Sequence, residues 1–210
     1  MSFRSKLVHT ATQEWNFFGG STRHLDDVWN VVGEESNSPF TERIGEYWAS
    51  VQQLGWDGLT PQPWSAAFIS WCFKRVNEQV GPKVMFKGHI KHSVYVDRIR
   101  RQAQMDGKLV LTSVDGAPIA AGDLVWNARG EGDGPKSFTD AVKRLKVKDF
   151  FLSHVDIVVK VEGDVCYTIG GNVSDKEDGG SVTKSAWRLN ASGHLVDPRK
   201  TWIGLVKVED

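Results

Sequence analysis

Pro63-Trp64-Ser65-Ala66-Ala67-Phe68-Ile69-Ser70-Trp71 follows a loop punctuated by Gly58, Pro61 and Pro63. Its spacing predicts a helix from Trp64-Ser65 to about Glu78, with Phe68, Trp71, Cys72 and Val76 on or near the buried side and Gly81-Pro82 ending it. Upstream, Phe3, Leu7, Val8, Ala11, Trp15 and Phe18 recur at helical intervals, and Gly19-Gly20 closes that segment. Residues 21–40 are mixed and polar and read as a connector around Val28 to Val32. Thr41 is the expected N-cap of a second helix carrying Ile44, Tyr47, Trp48, Val51 and Leu54, ended by Gly55. Downstream, Val94, Tyr95 and Ile99 predict a fourth helix through about Gln104, closed by Gly107.

After residue 107 the period changes. Leu109 to Thr112, Leu124 to Asn127, His154 to Val161, Val165 to Ile169, Val182 to Leu189 and Trp202 to Val208 are short and rich in Val, Ile, Leu and Trp. Turn residues such as Asp115-Gly116, Glu162-Gly163-Asp164 and Gly179-Gly180 separate them. Helices followed by adjacent strands make an α+β pattern, most simply an antiparallel sheet of about five to six strands with the helices on one side. One domain over 1–210 is expected: helical 1–107, sheet 108–210, and a surface excursion at about 129–149 with one helical turn at Phe138 to Leu145.

Composition narrows the function. The 210 residues are 40% hydrophobic and 25% charged, which excludes disorder and fibrous repeats. Lys plus Arg equals Asp plus Glu at 26 each, so no bulk field draws the chain to nucleic acid or an anionic membrane. Nine Trp suit a core with polar edges and also platforms for flat or sugar-like ligands. Cys72 and Cys166 are far apart in no metal or redox spacing, and His89 with His92 lacks the further ligands of a metal set. No metal or organic cofactor is implied. No apolar run is long enough for a signal peptide or a membrane span, so synthesis in the cytoplasm without a leader is the expectation.

The chemistry converges on Ser65. At the first turn of a helix, free backbone N–H groups and the positive end of the dipole favour a developing anion, which suits a nucleophile. The competing explanation is an ordinary serine N-cap. His154 opens a strand and Asn172 follows the next one. A hairpin across Gly163 brings their outer ends together. A nucleophile on a helix, a histidine on a strand and an orienting amide on the adjoining strand make a papain-type constellation. Asp156 projects from the same sheet face as His154, where it orients the ring, binds substrate or forms an ion pair.

These motifs resemble a family. Trp64-Ser65-Ala66-Ala67-Phe68-Ile69-Ser70-Trp71 is similar to the nucleophile helix of the CHAP and NlpC-type amidases, the papain-like peptidoglycan hydrolases. Ala121-Gly122-Asp123-Leu124-Val125-Trp126 and Ser153-His154-Val155-Asp156-Ile157-Val158 resemble two of their strands. Glu14-Trp15, Arg43 to Trp48, His92 with Tyr95, and Gly170 to Ser174 are closer still to a bacterial domain family of undefined function. The resemblance runs from Trp15 to Trp202. It implies an NlpC-type fold and hydrolysis of an amide bond in a peptidoglycan peptide or similar peptide. Ser65 would attack, His154 would be base and then acid, and Asn172 would orient His154. Trp64, His92 and Asp156 would line the substrate cleft.

Ser65 stands where the amidases carry cysteine. A hydroxyl is a far weaker acid than a thiol, so a neutral imidazole must take its proton during attack. Two functions stay open: a serine hydrolase, and a catalytically silent module that binds a cell-wall fragment or a protein partner. Exported antibacterial effector, phage-type lysin and cytoplasmic recycling enzyme are the settings the resemblance implies. An effector would require an immunity protein in the producing cell.

Overall fold

In a computed structural model that describes residues 1–81, 84–103, 108–130, 133–174 and 179–210, five helices lie against one sheet. The order is α1 (Phe3–Phe17), β1 (Ser21–Arg23), β2 (Trp29–Asn30), α2 (Phe40–Ser50), α3 (Ser65–Val80), α4 (His92–Gln102), β3 (Leu109–Thr112), β4 (Leu124–Ala128), α5 (Phe138–Lys146), β5 (Ser153–Glu162), β6 (Val165–Val173), β7 (Ser181–Arg188) and β8 (Thr201–Val208). The α+β pattern is therefore present. The sheet is larger than expected and mixed: eight strands in the order β2-β1-β7-β6-β5-β4-β8-β3, with β1 parallel to β7 and the other pairs antiparallel.

The two extra strands, Ser-Thr-Arg and Trp-Asn, are only three and two residues long, too short to show a period. Tertiary contacts make them strands. Ser21 pairs with Thr183, its hydroxyl meets Ser181 Oγ at 2.9 Å, and its carbonyl accepts the Trp15 indole N–H at 2.6 Å. α2 begins at Phe40 rather than behind a Thr41 cap, because the Thr41 hydroxyl donates to the Glu35 carbonyl at 2.8 Å. It stops at Ser50, leaving Leu54 exposed beyond its end. The stops expected at Pro82, Gln104 and Gly107 lie outside the described residues.

α3 is the central helix. Ser65 through Phe73 and Val76 are all buried, because α1, α2 and strands β5 and β6 surround it. A helix apolar on every side needs such enclosure. Trp48, Trp64, Phe68 and Tyr47 are fully buried around it; each large side chain withdrawn from water contributes about 1.5–3 kcal/mol. Glu14 of α1 accepts a 2.5 Å bond from the Tyr47 hydroxyl of α2 and lies 3.6 Å from Arg43, which clamps the two helices together. The far face of the sheet has its own smaller core around Val125, Val158, Trp187 and Leu205. Residues 129–149 are more than a surface excursion: Ala141 and Leu145 of α5 are buried, and the helix meets α4 and β8. The turn residues Gly122-Asp123 serve structure too, since buried Asp123 is bonded by Lys207 at 2.5 Å and Arg4 lies at 3.2 Å.

Candidate active site

The start of α3 separates the two explanations of Ser65. Trp64, not Ser65, occupies the cap position, and its carbonyl accepts the first helical bond from the Phe68 N–H at 3.0 Å. The N–H groups of Ser65, Ala66 and Ala67 thus have no acceptor within the helix, and the dipole's positive end falls there. The Ser65 side chain does not turn back onto these groups. Its Oγ lies 2.7 Å from His92 Nε2.

His92 is the first residue of α4, and one turn on, the Tyr95 hydroxyl lies 2.5 Å from its Nδ1. Burial, with the nearby His154 and Arg129 charges, holds His92 well below the ordinary imidazole range, so it is neutral at pH 7. Burial and the Asp156 charge push the Tyr95 phenol well above its usual value, so it keeps its proton. With the imidazole hydrogen on Nδ1 and donated to the Tyr95 oxygen, Nε2 presents a lone pair to the Ser65 hydroxyl. That is the tautomer a general base needs.

A second histidine adjoins the first. The His154 and His92 ring centres are 5.2 Å apart and inclined at 62°. His154 Nε2 meets Asp156 Oδ1 at 2.7 Å, while Asp156 Oδ2 accepts from the Thr168 hydroxyl at 3.1 Å. Thr168 Oγ1 in turn accepts the Trp187 indole N–H at 2.8 Å. Burial would raise the Asp156 carboxyl, but its His154 and Thr168 partners outweigh that and keep it ionised. A neutral His154 donating its Nε2 hydrogen to this carboxylate leaves Nδ1 as a buried lone pair, and Nδ1 has no partner. Burial, helped by Arg129 and Lys200, outweighs Asp156 and holds His154 below the usual histidine value.

The site differs from the expected one at four positions. The partner of the Ser65 hydroxyl is His92 Nε2, not His154. Asn172 does not orient His154: it sits at φ 56° where β6 breaks register with β7, and its amide donates to Glu35 Oε2 at 3.0 Å. Asp156 holds His154 in its place. Trp64 is a core residue: it is 1% exposed and its indole N–H donates to the same Glu35 oxygen at 2.5 Å. Three contributors were missed. Glu35 lies in the polar connector, and Thr168 looks like any strand threonine. Gly170 is informative: a Cβ there would sit 1.9 Å from Asp156 Oδ1 and 2.9 Å from His154 Nε2, so only glycine leaves room for that bond.

A cavity of about 310 Å³ reaches the pair, lined by Ser65, His92, Trp56, Gln62, Arg129 and Phe151 among others. Ser65 and His92 are 3% and 5% exposed, so this reacting pair lies at its floor, while His154 and Asp156, each 4% exposed, line a separate cavity. His89 belongs elsewhere, its Nδ1 accepting from the Lys91 N–H at 3.0 Å. Both cysteines are free and buried. Burial pushes the Cys72 thiol well up and the Cys166 thiol to about 12. Among the described residues no cluster of three or more His, Cys, Asp or Glu is arranged for a metal, and no helix is long and apolar enough to cross a membrane.

Comparison with known proteins places these features in a family. No curated protein and no solved structure matches the chain significantly. Residues 19–208 match the family model DUF2272, described as an uncharacterized protein conserved in bacteria. That span takes in Ser65, His92, His154 and Asp156 and nearly the whole chain, which therefore belongs to the DUF2272 family of bacterial proteins.

Proposed function

We propose that this chain is a serine-dependent amide hydrolase on a papain-like, NlpC-type frame, acting on peptidoglycan peptides or a similar peptide. The 2.7 Å contact between Ser65 Oγ and His92 Nε2 at the N-terminus of a buried helix carries the reading. His92 takes the hydroxyl proton as Ser65 attacks the carbonyl carbon, then delivers it to the leaving nitrogen. The Ser65 N–H and the Gln62 amide, whose residue lines the same cavity, are the donors for the oxyanion. His92 then takes a proton from the water that attacks the acyl carbon and returns it to Ser65 Oγ as the acid leaves, while His154, held by Asp156, packs beside its ring.

The amide and cell-wall assignment rests on the motif resemblance, supported by the order of the nucleophile helix before the His154 strand. In an effector setting, the immunity protein would cover the Ser65 cavity. Mass spectrometry of peptidoglycan digested with wild type and Ser65→Ala tests the reading: new peptide termini only with wild type are expected. A second reading, a silent binding module, is favoured by the burial of Ser65 at 3% exposure under a cavity with Trp56 and Phe151 in its wall. Muropeptide binding with no turnover in wild type would establish it.

A further inference from the structure

Behind His154 lies a second cavity, of about 250 Å³, whose wall includes Arg23, Arg129, Asp156, Trp187 and Lys200. Its charges do not balance in pairs. Arg23 is bonded to Asp27 at 2.5 Å and lies between the Trp29 and Trp187 rings, 4.7 and 4.9 Å from their centres. Asp27 is shared with Arg199, and Asp156 is occupied by His154 and Thr168. Among the described residues no acceptor or ion-pair partner is left for the head groups of Arg129 and Lys200. Both are half-buried. Burial lowers both pKa values, and Arg129 and Arg23 depress Lys200 further. Asp156 acts on both only at longer range, as does Asp27 on Lys200; half-buried cations without a bonded counter-charge are costly to hold, and such arrangements gather at binding sites.

Arg129 is also the residue that lines both cavities, with Ser65 and His92 on one side and His154 and Asp156 on the other. We propose that Arg129 and Lys200 form an anion subsite for a carboxylate of the peptide substrate, terminal or side-chain, beside the scissile amide. That the carboxylate belongs to a substrate rests on the hydrolase reading; the anion site itself does not. The planar guanidinium fork and the point charge of a lysine suit a flat, singly charged carboxylate.

The probes are N-acetyl-alanyl-alanine, with a free carboxylate, its C-terminal amide, and inorganic phosphate. Calorimetric titration compares wild type, Ser65→Ala, Arg129→Gln and Lys200→Met. The acid should bind wild type and Ser65→Ala alike. Neutralising the ligand, or removing either cation, should weaken binding about tenfold or more. Because neither head group has a hydrogen-bond or ion-pair partner among the described residues, both cation variants should melt no lower than wild type, which separates lost binding from lost fold. No acid binding, equal binding of acid and amide, undiminished binding in both cation variants, or phosphate binding tighter than the acid would each overturn the proposal. Carboxylate-dependent binding without turnover of any peptide keeps the subsite and sinks the hydrolase reading alone.

Discussion

His154 and Asp156 lie two positions apart on β5 and close a 2.7 Å bond across the face of Gly170. Alternation along a strand puts both side chains on one face, and the missing Cβ opposite leaves them the space. Gly170→Ala should therefore disturb the pair without blocking the backbone. We expect a stability loss of about 1–3 kcal/mol from overpacking and loss of most hydrolysis. Thermal melts followed by circular dichroism, beside a muropeptide assay, check this. Wild-type activity in a folded Gly170→Ala protein would show that the His154–Asp156 bond is dispensable.

Tyr95 acts on Ser65 only through His92. In Tyr95→Phe the His92 Nδ1 loses its hydrogen-bond partner in a buried place, at a cost of about 1–3 kcal/mol. The phenylalanine ring still fills the core, so KM should hold while kcat falls. His92→Gln removes the base itself and should cost about 10²-fold or more in kcat. A Tyr95→Phe effect confined to KM would mean that the hydroxyl touches substrate instead of orienting the ring.

Acid should weaken the protein earlier than carboxylate titration alone predicts. Unfolded histidine binds a proton near pH 6.5, whereas buried His92 and His154 resist it. The unfolded state thus binds more protons below that pH, so their contribution is complete above about 6.5 and is lost as pH falls towards their depressed native values. The Asp156 contribution acts in the same direction further down, lost as pH falls through a native value below the ordinary carboxyl one. Melting temperature should decline below about pH 6.5, less steeply in His92→Gln. The acid limb of activity should also lie below 6.5, because the base stays unprotonated there. A limb centred at the free-imidazole value would contradict the desolvated site.

Much of this was legible from spacing, and the failures have physical causes. The α3 segment and the six longer strands follow from apolar period and turn residues, which report burial directly. β1 and β2 escape because two or three residues show no period, and a parallel pairing to β7 is a tertiary fact. Asp156 beside His154 follows from strand alternation. Hairpin geometry predicts Asn172 beside His154, but the strand breaks register there and its left-handed backbone sends the amide to Glu35. The Ser65–His92 contact joins the starts of two helices, which no local pattern connects.

The cysteines should be chemically silent, which makes Ser65→Cys a clean probe. Cys72 and Cys166 are buried, with thiols raised by that burial, so native protein should resist iodoacetamide. A thiol placed at Ser65 meets free N–H groups of a helix start and the His92 lone pair. These favour the thiolate and draw its pKa below the free value of about 8.5, against the opposing effect of burial. We expect rapid, single-site alkylation of Ser65→Cys by intact-mass spectrometry, and retained or increased muropeptide hydrolysis. Adding His92→Ala should slow alkylation and remove hydrolysis; adding His154→Ala should spare more of the alkylation than of the turnover. Equal alkylation in Ser65→Cys and Ser65→Cys/His92→Ala would show that His92 is not the base. If Ser65→Cys alkylates fast yet cleaves nothing, activation is intact and the defect lies in oxyanion donors or access, which is what a silent binding module predicts.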